Sequence, residues 1–138
     1  VVVAVLGIIM ISYLAYINPS CNPQSAIHFS KQKRTMADIK SIAAAIEHYK
    51  SDYGYYPPNL EVLEPNYIRE LPASDGWRNP FCYVTSNSQQ DYSIGSGGRD
   101  GSSANGSFGL SPTTTRDFDS DIVFFDGQFT IYPEGVQT

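Results

Sequence analysis

The sequence predicts an α+β protein in which a long N-terminal helix, half hydrophobic anchor and half amphipathic, packs on a small antiparallel sheet of about four strands. Three observations predict it. Val1 to Ile17 is an uncharged, almost wholly apolar run. Gln24 to Tyr53 then repeats apolar residues at spacings of three and four. Past Tyr55, short β-rich runs alternate with Gly, Pro, Asn and Asp, as antiparallel strands joined by turns require.

The run VVVAVLGIIMISYLAYI contains no charged side chain. A chain of 138 residues has no interior that could surround a helix apolar on every face, so lipid or other subunits must cover it. The basic start and small-residue cleavage site of a signal peptide are lacking, so an anchor is expected. Asn18-Pro-Ser-Cys-Asn-Pro23 follows, and its two prolines must kink, melt or stop the helix. This predicts an anchor over 1–23 with a proline-containing break, and a globular domain over 24–138.

In the second helix Ile27, Met36, Ile39, Ala43, Ile46, Tyr49 and Tyr53 form the predicted core face, with Lys33, Lys40, Glu47 and Lys50 off it. Gly54 and Tyr55-Tyr56-Pro57-Pro58 end it. Asn59 to Glu64 suits one or two helical turns, Ile68 to Pro72 an extended piece, and Asp75-Gly-Trp-Arg-Asn-Pro80 a compact turn around the only tryptophan. Phe81 to Thr85 and Asp91 to Ile94 form one predicted hairpin. Ile122 to Phe125 and Gln128 to Tyr132 form a second, joined by Asp126-Gly127, a pair suited to a type I′ turn.

Nine basic and fourteen acidic residues leave a charge of −5, which excludes nucleic acid as an expected partner. Lys31, Lys33 and Arg34 suit either a solvated helix face or anionic head groups. Cys21 and Cys82 are too few for a metal cluster and suit either one bridge or two buried thiols. His28 and His48 have no second histidine or cysteine at ligand spacing, and no GxSxG, GxGxxG or GxxxxGK motif occurs, so no catalytic residue and no enzyme is predicted. The ten tyrosines fit a small-domain core or a subunit interface equally well.

Gly95 to Asp121 is the segment least like ordinary core. Asp117, Asp119 and Asp121 stand two apart, so alternate carboxylates fall on one side and repel one another unless a cation or an arginine, Arg99 or Arg116, offsets them. Calcium suits such a loop because it takes hard oxygen ligands, carbonyls included, in flexible geometry; Asp100 would close the site from the other end. It is not an EF-hand, since the glutamate at the twelfth loop position is missing.

Together these segments resemble the type IV pilin superfamily, and the soluble part is most similar to the major (G-type) pseudopilin of type II secretion systems. The resemblance is carried by VVVAVLGIIM, Met36 to Lys40, Ala43 to Tyr49, Asp52-Tyr-Gly-Tyr-Tyr-Pro57, Asp75 to Pro80 and Tyr92 to Gly101. It implies a filament subunit, a homopolymer with minor pilins or pseudopilins, packed through its N-terminal helices. It further implies a prepilin trimmed by a dedicated peptidase, methylated at its new N-terminus, held in lipid of the inner membrane, and assembled by a membrane platform into a periplasmic pseudopilus or extracellular filament. Calcium is implied in the 95–121 loop, on Asp100, Asp117, Asp119 and Asp121. The aromatic residue and glutamate that precede the apolar run in the family are not among the residues from Val1 onward, so either the sequence begins inside that run or the head-group contact of the glutamate is missing; Arg78 stands where a glycine is common. Its extended C-terminal hairpin leaves a surface pilus active in adhesion or motility, or a binding module on such a filament, as the alternative.

Overall fold

The structure, a computed structural model, describes residues 23–102 and 113–134. The anchor run, its proline break and Cys21 lie outside the described residues, within which no helix is long and apolar enough to cross a membrane. The chain divides into a unit ending at Ser30 and a unit from Lys31 onward. Of the first, residues 23–30 are described; they are helical, and Ile27 and Phe29 are exposed.

Helix α1 runs Pro23–Tyr53. Pro23 falls in its first turn, where a missing N–H costs nothing. Gly54 closes the other end, its N–H donating to the Lys50 carbonyl at 2.7 Å. The buried stripe of the helix is Gln32, Thr35, Met36, Ile39, Ile42, Ala43, Ala45, Ile46 and Tyr49. It differs from the predicted face at both ends: Ile27 and Tyr53 are half exposed, while Ile42 and two polar residues, Gln32 and Thr35, are buried. An ideal 3.6-residue repeat run from Met36 selects Ile42 with Ile39 and Ile46 and keeps Tyr53 in phase with them, so the exposure of Tyr53 reflects its place as the last residue of the helix rather than a change of face.

The sheet has five strands: β1 (Cys82–Thr85), β2 (Tyr92–Ser96), β3 (Thr113–Thr115), β4 (Ile122–Phe125) and β5 (Gln128–Pro133). Their order is β1-β2-β4-β5-β3. Both predicted hairpins are present as antiparallel pairs, and β2 joins β4 with Ile94 opposite Phe124. Asp126 and Gly127 both take positive φ, 45° and 84°, as a type I′ turn demands. The strand beyond the predicted four is β3, a run of three threonines parallel to β5. A three-residue strand of one residue type carries no readable alternation.

The core lies between α1 and this sheet, where Ile39, Ile42 and Ile46 meet Tyr92, Ile94, Ile122 and Phe124. Leu63, in the 3-10 turn Glu61–Leu63, closes one side together with Tyr56. Residues 68–72 form no strand, and Cys82 is a half-buried thiol.

Candidate functional site

Two polar structures meet around Ser96 to Gly101. The first is the tryptophan turn. Asp75 is 2% exposed, yet its carboxylate is fully used: Oδ1 accepts the Trp77 and Asn79 N–H groups, each at 2.8 Å, and Oδ2 accepts the Ser96 hydroxyl at 2.6 Å. A buried charge is tolerated on such terms. Trp77 itself packs partly buried against the core.

This turn rests directly on α1. Gly76 N–H donates to Thr35 Oγ1 at 2.9 Å, and that hydroxyl donates to the Lys31 carbonyl at 2.9 Å. A Cβ on Gly76 would stand 2.6 Å from the Lys31 oxygen and 2.8 Å from its Cα, so only glycine allows this approach. Arg78 holds φ at 74°, the left-handed region that favours glycine. The position is therefore one that glycine suits, and Arg78 occupies it against that preference.

The second structure is the acidic loop. Ser96 Oγ, which donates to Asp75, also accepts the Gly98 N–H at 3.2 Å, and Asn79 Nδ2 donates to the Gly98 carbonyl at 2.9 Å. The tryptophan turn therefore fixes the start of the loop. Gly98, with φ of 65°, lies against residues 118–120: a Cβ there would come 2.7, 2.9 and 3.0 Å from the carbonyl oxygens of Ser120, Phe118 and Asp119. Three hard oxygens converge on that glycine.

The four predicted carboxylates occupy this loop, each with a local engagement. Asp100 Oδ1 accepts the Ser102 N–H at 2.8 Å, and Asp117 Oδ1 accepts the Asp119 N–H at 3.0 Å. Asp121, next to β4, also has an interaction of its own. Asp119 turns both oxygens to Arg99, accepting from Nε at 2.6 Å and from a terminal nitrogen at 2.5 Å. That hydrogen bond, with the attraction of Asp119 and then Asp117 and Asp100, raises the Arg99 pKa above its ordinary value. Further along, Arg116 pairs with Glu134 and holds that carboxyl below its usual range.

In kind, the oxygens fit a hard cation such as calcium. In placement, no three acidic, histidine or cysteine side chains converge among the described residues. The partner of Asp119 is a guanidinium.

Away from the loop, Tyr49, Tyr53, Tyr55 and Tyr67 form a ring cluster at the end of α1, with centroids 4.4 Å apart for Tyr49 and Tyr53 and 5.4 Å for Tyr49 and Tyr67. Tyr53 and Tyr55 leave 54% and 39% of their surface exposed, so the cluster serves both core and surface. Lys50 lies 3.9 Å from the centre of the Tyr56 ring, a cation–π contact. A cleft of about 470 Å³ runs between Pro58 to Glu61, Leu71 to Ala73 and the start of β1, with Asn59, Glu61 and Tyr83 as its polar groups.

Residues 24–109 match the family model described as type II secretion system (T2SS), protein G. The chain is also 32% identical over 127 residues to the type II secretion system core protein G of Pseudomonas aeruginosa, a match covering 76% of this chain and 83% of that protein. The matched segment takes in nearly all of α1, the tryptophan turn, β1, β2 and the first half of the acidic loop. With the family model matching more than half of its length and this relative 32% identical, the chain belongs to the type II secretion system protein G family.

Proposed function

We propose that the chain, a structural subunit of the type II secretion pseudopilus by its family, assembles by packing its N-terminal helix against those of other copies while the α+β domain faces outward. The observation that carries this reading is the change of character along one helix. From Met36 to Tyr49 the apolar stripe of α1 is spent on its own sheet. Ile27 and Phe29 are instead exposed, and the uncharged Val1 to Ile17 run lies before them in sequence. Apolar surface of that kind is stable only against lipid or against its like.

On this reading the subunit waits in the inner membrane and is drawn into a periplasmic filament by an assembly platform. A dedicated peptidase trims and methylates its N-terminus, and minor pseudopilins share the filament. Removing Val1 to Ile17 is expected to yield a soluble monomer. Light scattering checks this, and native-like fibres from the truncated chain would overturn it.

The reading includes calcium in the 95–121 loop, on Asp100, Asp117, Asp119 and Asp121. Its support is the hard-oxygen donor set and the three carbonyls that converge on Gly98. Calorimetry at millimolar calcium is expected to show binding heat, and no heat would remove calcium from the reading.

A further inference from the structure

The acidic loop contains a cation of its own. Arg99 is tied to residues 118 and 119 twice: its backbone N–H donates to the Phe118 carbonyl at 2.8 Å, and its guanidinium fork donates to both oxygens of Asp119 at 2.6 and 2.5 Å. A planar fork on a carboxylate is the tightest single-residue substitute for a metal that a protein can offer. A fork laid along both oxygens takes the edge by which the carboxylate would chelate calcium, and it sets a positive charge beside any ion bound there.

We propose that Arg99 is the resident counter-cation of this loop: it holds Asp119 across the loop when no divalent ion is bound, and it must give up its fork before calcium can take both oxygens of Asp119. Arg99 is thereby a determinant of calcium affinity that acts against binding. This rests on the calcium reading above. Arg99 and Asp119 leave 46% and 37% of their side chains exposed, so opening the pair strands no buried charge. The exchange of one cation for the other is open to solvent.

Arg116 supplies the control. It carries the same charge within the same loop but pairs with Glu134 and touches none of the four aspartates through that contact. A variant at Arg116 alters the net charge as much as one at Arg99 without freeing Asp119.

The test is calorimetric titration of calcium into the full chain in detergent, as wild type, Arg99→Gln and Arg116→Gln, with melting of each in chelator and in calcium. Arg99→Gln is expected to bind calcium on the order of five- to tenfold tighter than wild type. It should melt below wild type in chelator and recover in calcium. Arg116→Gln is expected to change the affinity by less than about twofold.

Equal affinity in wild type and Arg99→Gln overturns the proposal and leaves the calcium reading standing. Weaker binding in Arg99→Gln overturns it as well, by making Arg99 a support of the site. Equal tightening in both variants reduces the effect to net charge and overturns it too. No binding heat in any of the three removes the calcium reading and the proposal together.

Discussion

The tryptophan turn and the acidic loop share Ser96 and Gly98 but are held by opposite means. In the turn, one buried carboxylate satisfies three donors and a glycine is pressed to the helix backbone, so solvent takes no part. In the loop, four carboxylates and two arginines are exposed or half-buried, and the pairs Arg99–Asp119 and Arg116–Glu134 are both open to solvent. The same kind of side chain, aspartate, is thus a fixed structural part at position 75 and an exchangeable one at position 119. Burial decides which.

Asp75→Ala offers the largest test of this contrast. It leaves the Trp77 and Asn79 N–H groups and the Ser96 hydroxyl without their acceptor, and a loss of about 3 kcal/mol is expected in thermal or denaturant unfolding. A change below about 1 kcal/mol would mean that water reaches the turn and that the contrast is false. Gly76→Ala comes next, at about 1–3 kcal/mol, because a Cβ would stand 2.6 Å from the Lys31 carbonyl oxygen, a backbone atom that cannot swing aside. Arg78→Gly is expected to act in the other direction, stabilising by about 1 kcal/mol through relief of a left-handed φ of 74°.

A pH series sharpens the comparison from the core side. Burial pushes the Tyr83 hydroxyl from 10.0 up to about 12 and raises Tyr92 and Tyr56 as well. The folded state therefore holds these protons more tightly than the unfolded chain does. Their contribution is complete below about pH 10 and is lost as the pH climbs toward 12. Melting temperature followed alongside tyrosinate absorbance should show the two falling and rising together in that window. The smallest effect is expected from Arg116→Ala, whose pair is exposed on both sides: no shift of the melting midpoint beyond error.

The sequence was most informative where one residue type forces one geometry. Asp126-Gly127 gave its hairpin, Gly54 its helix end, and the Ile39 and Ile46 spacing its core face, because positive φ and the 3.6-residue period leave few alternatives. It was least informative where tertiary contacts choose. Gln32 and Thr35 are polar yet buried, Thr35 because the tryptophan turn needs its hydroxyl. Parallel β3 has no local signature, and Tyr53 continues the apolar period into the last turn of the helix, where it is half exposed. At the site, the alternating aspartates and the two arginines were both visible. Which arginine meets which carboxylate was not, because pairing across the loop depends on how closely Gly98 approaches residues 118–120.

The placement of β3 sets an order of events for a growing or exported chain. Thr113–Thr115 precede β4 and β5 in the sequence but lie beyond both in the sheet, hydrogen-bonded to β5 alone. Pairing of Thr115 with Pro133, and the bond from Glu134 N–H to the Thr115 carbonyl, must wait until residues 131–134 are available. α1 and the β1–β2 hairpin can form early, from local contacts, whereas the sheet is completed by its last-made strand. A subunit still emerging from a ribosome or a translocation channel thus keeps β4 without its β5 neighbour, and it acquires a finished domain only after the C-terminal hairpin has been delivered.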